Sequence, residues 1–206
     1  MSQPMELHEA IYNCRAMRRL DNREVPEDQL IQLIDAANQA PSGSNAQNAR
    51  WIVVRDAQVK QQLADLNRIS VEAYVAPSLA DPRMSDKRKR MMEAVLWQMD
   101  HLHEAPALII ACLTFFEEAD ALARARSAGS IWPGIQNLLL TARSLGLGAA
   151  PTTLALGDTA AVAKILNLPE NMTAYALIPV GYPLGKFGPV SRKPLTKIMR
   201  FDRWSD

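Results

Sequence analysis

Apolar residues recur along this chain in two alternating rhythms. Helical spacing appears first over residues 6–17, where Leu7, Ala10, Ile11 and Cys14 share a stripe. It returns over 26–39 with Leu30, Ile31, Leu33, Ile34 and Ala37, and again over 57–66. Residues 91–104 carry Met92, Val95, Leu96, Met99 and Leu102 at the same spacing, and residues 127–145 carry Ile131, Ile135, Leu138, Leu139 and Ala142. A short helix is expected over 158–166. Between these stripes lie compact apolar runs at 51–54, 107–113 and 174–180, the mark of buried strands. Helices interleaved with apolar strands predict an α+β domain, with helices flanking a central, mostly antiparallel sheet.

Local punctuation supports these boundaries. Pro26, Glu27 and Asp28 suit the first turn of a helix, because proline has no amide hydrogen to lose there and acids favour the positive end. Pro133 is tolerated near the start of its helix for the same reason, and Gly146-Leu147-Gly148 ends that helix. Residues 69–87, with Pro77, Ser78, Asp81, Pro82 and Ser85, are the least regular part and are expected to form a mobile loop or lid. No repeat or linker divides residues 1–206, so one domain is expected.

Composition narrows the function classes. Hydrophobic residues make up 48% and charged residues 22%, so a packed core is expected. The formal net charge of +1 provides no global attraction to nucleic acid or acidic membranes. The longest apolar run, residues 105–116, is too short to span a bilayer, which needs about 20 residues. Cys14 and Cys112 form no CxxC pair, and the N-terminus lacks the features of a secretory signal. A cytoplasmic protein is the expectation.

Any cationic chemistry must therefore be local. Arg15, Arg18 and Arg19 stand near the N-terminus, and Arg192 and Lys193 near the C-terminus. A guanidinium offers a planar fork of donors that fits phosphate oxygens. Alone, the first cluster reads by default as the basic end of a helix, and the second could be ordinary surface charge. The 87–90 basic run reads as the solvated face of a helix. His101 and His103 are too close along a helix to share a face, so no metal site is expected. The Gly-Lys pair at 185–186 has neither the spacing nor the hydroxyl of a phosphate loop, and no GxGxxG or GxSxG motif occurs.

Joined in order, however, several motifs become specific. They are the arginine-bearing segment 15–19, the Pro-Ser-Gly-Ser-Asn-Ala-Gln loop at 41–47 and Gln-Asn-Leu-Leu-Leu at 136–140. Gly-Leu-Gly at 146–148, Gly-Tyr-Pro at 181–183 and Arg-Lys-Pro-Leu at 192–195 complete the series. This order resembles the FMN-dependent nitroreductase family over nearly the entire chain.

The resemblance implies an intertwined homodimer with two flavin sites at its interface, and a C-terminal arm, residues 186–206, wrapped on the partner. It implies that Arg15, Arg18 and Arg192 hold the FMN phosphate and ribityl chain, with the Ala16 backbone alongside. Pro41, Ser42, Gly43 and Asn45 would reach the flavin of the neighbouring subunit, and Pro151, Thr152 and Thr153 would pass along the ring near N5. The implied activity passes hydride from NADH or NADPH to flavin N5, and then electrons to a small nitroaromatic or quinone-like acceptor. The flavin carries the chemistry, so no side chain is nominated as catalytic acid or base. The same fold also hosts dehalogenation, dehydrogenation, flavin consumption and non-catalytic flavin binding.

Three departures from the family pattern bear on these roles. Cys14 stands where another arginine is usual, and Ala16 where serine is usual. Their loss implies weaker FMN binding unless Arg19 substitutes. Thr153 stands where some members carry glutamate.

Overall fold

One antiparallel sheet organises the chain. Its strands are β1 (Ala49–Val54), β2 (Ala107–Thr114), β3 (Gly148–Ala149) and β4 (Met172–Gly181), in the order β1-β2-β4-β3. The structure, a computed structural model, describes residues 5–79, 81, 83–115 and 120–204. The sequence expectations at Pro82, at Phe116 and at the outermost residues 1–4 and 205–206 lie outside the described residues.

The apolar run in β2 is explained by burial on both faces. Ala107, Ile109, Ala111 and Leu113 join one core cluster, while Leu108, Ile110 and Cys112 join another. Successive strand residues point to opposite faces, so a strand covered on both sides reads as continuously apolar. On the first face lie α2 (Glu27–Asn38), through Leu30, Leu33 and Ala37, and α6 (Trp132–Ser144), through Ile135, Leu138 and Ala142. Gly134 permits the close approach of these helices: a Cβ there would stand 2.9 Å from the Ala37 carbonyl oxygen. On the second face lies α3 (Ala57–Leu79), through Leu63 and Ala64.

The segment expected to be irregular is largely helical. α3 continues well past residue 66 to Leu79, and α4 begins at Asp86 and runs to His101. Val71 and Val75, one helical turn apart on α3, pack with Met92 and Met99 of α4. This burial outweighs the local breaking tendency of Pro77, which lies in the final turn of α3, so the one amide bond it removes and any kink fall at the helix end. Ser85 then caps α4 by accepting from the Arg88 amide at 3.4 Å.

Two other boundaries differ from expectation. The first helix, α1, spans only Leu7–Asn13, and Cys14 is extended. The Asn13 side chain donates to the Glu9 carbonyl at 2.9 Å, and the chain beyond is held by non-helical partners. The single helix expected over 127–145 is divided into α5 (Ala121–Ser127), a 3-10 turn at Ala128–Ser130, and α6. α6 ends as its glycines foretold: Gly146 has φ +75°, its amide donates to Arg143 and the Leu147 amide donates to Ala142. α7 (Thr159–Leu166) closes in the same way, with Asn167 in the left-handed position. No helix among the described residues is long and apolar enough to cross a membrane.

Candidate functional site

Arginine segments at opposite ends of the chain are brought together by long-range backbone hydrogen bonds. The Met17 amide donates to Ala149 at 3.1 Å, and the Leu184 amide donates to Arg19 at 3.0 Å. The Val190 amide donates to Tyr12 at 3.0 Å. The segment following α1 is therefore extended between the end of α6 and the C-terminal tail. Its arginines are not the basic last turn of a helix, which removes the structural alternative for Arg15 and Arg18.

This zipper opens a cleft of about 930 Å³. Arg15, Ala16, Pro151, Arg192 and Lys193 line it, together with Gln136 and Leu139 from α6. Among the described residues, no aspartate or glutamate lines the cleft, and neither Arg15, Arg192 nor Lys193 forms an ion pair. Unpaired cations facing one concavity form an anion site, and their solvent exposure makes them inexpensive to maintain without a ligand.

Cys14 also lines the cleft, with Sγ 3.7 Å from the Leu139 carbonyl oxygen. Burial raises its thiol pKa, and the nearby Arg143 charge opposes that rise. Arg143 comes from α6, one turn after Leu139. Its guanidinium lies 4.2 Å from the centre of the Phe187 ring, and its Nε is buried without a hydrogen-bond partner. The sequence reading missed Arg143. Its spacing of four residues from Leu139 places both on one helix face, a signal that was available once Gln136-Asn137-Leu138-Leu139-Leu140 was recognised.

Arg18 faces elsewhere. It lines an adjacent pocket of about 320 Å³ with Thr152, Thr153, Asn67 and Gln98, and Pro151 forms part of both cavities. Burial lowers the Arg18 pKa, and the Tyr74 phenol opposes that change. The 151–153 segment is held by a reciprocal bridge, in which Thr152 and Leu177 exchange amide bonds of 2.8 and 2.9 Å. Of the three residues expected near a flavin ring, Pro151 has no amide hydrogen and Thr152 has committed its own. Among the described residues, Thr153 retains an uncommitted backbone donor.

The 41–47 loop lines neither cavity. Pro41, Gly43 and Asn45 are exposed, and Ser42 is half-buried. Ser44, Asn45 and Gln47 all have left-handed backbones, with φ of 52°, 51° and 47°. Ser42 Oγ accepts from the Gln47 amide, and Ser130 Oγ accepts from the Gly43 amide, each at 3.0 Å. Three non-glycine residues in this region are strained, and these bonds help to hold them so.

Comparison with known proteins gives this geometry a context. An iodotyrosine deiodinase from Thermotoga neapolitana is 31% identical over 169 residues, spanning 82% of this chain and 84% of that protein. An NADH dehydrogenase from Thermus thermophilus is 28% identical and covers 90% of each chain. A crystal structure of oxidized iodotyrosine deiodinase bound to FMN and 3-iodo-L-tyrosine superposes with a TM-score of 0.76 at 26% identity, covering 97% of this chain and 100% of that one. The sequence pattern of the nitroreductase family matches residues 11–182, from the α1 stripe to the end of the sheet. With its antiparallel sheet, its ordered motifs and that match, this chain belongs to the nitroreductase family.

Proposed function

We propose that this chain is an FMN-dependent oxidoreductase that takes reducing equivalents from NADH or NADPH and passes them to a small aromatic acceptor. The observation that carries this reading is the cleft where Arg15, Arg192 and Lys193 converge without a carboxylate. Its cationic donors fit a phosphate monoester, and its volume falls within the range of cofactor sites, roughly 300–1,000 Å³. When bound, FMN supplies two-electron chemistry at N5. Arg15 and Arg192 would hold its phosphate end, with the Ala16 backbone beside the ribityl chain. Arg143, behind Cys14, stands near where the family's usual arginine is absent, and Glu9 Oε1 at 3.9 Å offsets part of its charge. Pro151, Thr152 and Thr153 would wall the ring, with the Thr153 amide as the donor left to meet it.

The working unit in this reading is a homodimer. The tail exposes Leu195, Ile198, Phe201 and Trp204, the last two at 81% and 66%. A groove of about 620 Å³ between α2 and the open edge strand β1, with Ile31, Ile34 and Trp51 in its wall, offers an apolar seat for a partner's arm. The strained loop carrying Ser42, Gly43 and Asn45 would then face the partner's flavin.

A second reading, reductive dehalogenation of an aromatic substrate, is favoured by the 31% identity to a deiodinase. One experiment separates the readings. The purified protein loaded with FMN is titrated anaerobically with NADH and NADPH and then offered a nitroarene or 3-iodotyrosine. Bleaching by either nucleotide and reoxidation by the nitroarene are expected. Failure to bind FMN overturns both readings. Bound flavin that only dithionite bleaches, followed by iodide release, replaces the first with the second. Bound flavin that reacts with neither acceptor makes the protein a flavin carrier.

A further inference from the structure

Four consecutive cations crowd the first turns of α4. Lys87, Arg88, Lys89 and Arg90 follow Asp86, and all four are exposed. A helix start carries the positive end of the backbone dipole, which favours acids and disfavours cations. Among the described residues, Lys87, Lys89 and Arg90 form no ion pair. The Arg88 guanidinium donates to the Ser78 hydroxyl at 3.3 Å, and Asp81, nearby, is taken up by Arg83 at 3.1 Å. Asp86 and Glu93 are the acids on this half of the helix. In a chain of formal net charge +1, the run is a local concentration of charge placed against the dipole, and its exposure leaves no packing gain to explain it. A local rule broken without a structural gain marks a functional surface.

The run leads directly to the opening of the pocket that holds Thr152 and Thr153. Met91, the next residue, lines that pocket and is 42% exposed, and Tyr74 of α3 lines it at 51%. Exposed apolar side chains at the opening therefore stand beside a cationic border. Successive residues on an α-helix are about 100° apart, so the four charged side chains fan out and do not converge on one phosphate group. A fan of charge acts at range, steering an oppositely charged surface and speeding its encounter. A small apolar contact bordered by complementary charge suits a weak, transient electron-transfer partner.

We propose that residues 87–90 of α4 form a docking surface for an acidic one-electron carrier protein, a second electron source for the flavin. The inference rests on the flavin reading above. Two reduced carriers each lose one electron to the flavin, with one proton taken from solvent, and both leave oxidised. Lys87, Lys89 and Arg90 position the carrier and touch no reacting atom.

The test uses FMN-loaded protein, the variant carrying Lys87→Glu, Lys89→Glu and Arg90→Glu together, and an acidic plant-type [2Fe–2S] ferredoxin as the probe. Calorimetry measures binding of the oxidised ferredoxin at low salt. Stopped-flow absorbance follows anaerobic bleaching of the flavin by the reduced ferredoxin. The parent protein should show both, and the variant should lose about tenfold or more in affinity and in second-order rate. Sodium chloride at about 0.5 M should produce the same losses in the parent protein, because it screens the charges without altering the chain. FMN affinity and the rate with NADH should be equal in parent and variant, which separates docking from damage to the flavin site. A parent protein that binds FMN but neither binds ferredoxin nor is bleached by it overturns the inference alone. So does a rise in the NADPH KM with ferredoxin binding unchanged, which would assign the run to the extra phosphate of that nucleotide. Absence of FMN binding in the parent protein overturns the cofactor reading and this one with it.

Discussion

The two cavities that share Pro151 keep unsatisfied polar groups in opposite ways. In the larger cleft, the unpaired groups are the cations Arg15, Arg192 and Lys193, all exposed, and water serves them until a ligand arrives. In the smaller pocket, the unpaired groups are one amide atom each from Asn67 (Oδ1) and Gln98 (Nε2), shut away from water. Solvated charge is tolerated cheaply, whereas an unmade buried hydrogen bond costs about 1–3 kcal/mol. The cleft is therefore a candidate site marked by charge convergence, and the pocket is marked by a hydrogen-bonding deficit. The first should respond to substitution through affinity alone. In the second, replacing a sealed amide with an apolar side chain should change stability as well.

The largest effect that would break this contrast lies in the cleft. Replacing Arg15 and Arg192 together with alanine should raise the FMN dissociation constant about a hundredfold or more, as two charge-assisted bonds are lost. The melting temperature of the flavin-free protein should stay within about a degree or two, because substitutions of exposed residues change stability little. Flavin fluorescence and thermal unfolding read both quantities, and a large loss of apoprotein stability would show that the cleft arginines are structural.

Arg18→Gln comes next. If the smaller pocket, which holds Arg18 with Thr152 and Thr153, takes part of the cofactor, removing this charge should weaken FMN about tenfold. FMN affinity equal to that of the parent would assign Arg18 to the smaller pocket alone. A smaller change of opposite sign is expected from Ala16→Ser, which returns a hydroxyl to the cleft wall. One added neutral hydrogen bond should tighten FMN about fivefold, measured by the same fluorescence titration.

The finest test uses the thiols. Burial pushes the Cys112 pKa up to about 12, so at pH 8 it remains protonated and should resist alkylation until the sheet unfolds. Cys14 is raised by burial but opposed by Arg143, and it lines the cleft. Its labelling should be slow, and slower still with FMN bound. Mass spectrometry of alkylated peptides distinguishes the two, and FMN protection of Cys112 but not Cys14 would misplace the cofactor.

Much of this molecule was legible along the chain. The 107–113 run announced a buried strand, and Gly146 announced the end of α6, because each depends on local geometry and immediate burial. The family resemblance grouped Arg15, Ala16, Arg18, Pro151 and Arg192, and the structure lines one cleft with four of them while Arg18 lines the adjacent pocket. What misled was Pro77 with its polar neighbours, since chain-breaking tendency is local while the packing of Val71 and Val75 on Met92 is not. Arg143 and the Asn67–Gln98 pair were missed for a related reason. A polar residue within a helical stripe reads as solvent-facing until its neighbours are known.

The sequence by itself determined the α+β class, the strand cores and the inventory of cations, because periodicity and residue chemistry are properties of short windows. Only the tertiary structure decided how those cations are divided, with Arg15 and Arg192 in one cavity and Arg18 in another. That division depends on a few long-range amide bonds, from Met17 to Ala149 and from Val190 to Tyr12, whose partners no local pattern specifies.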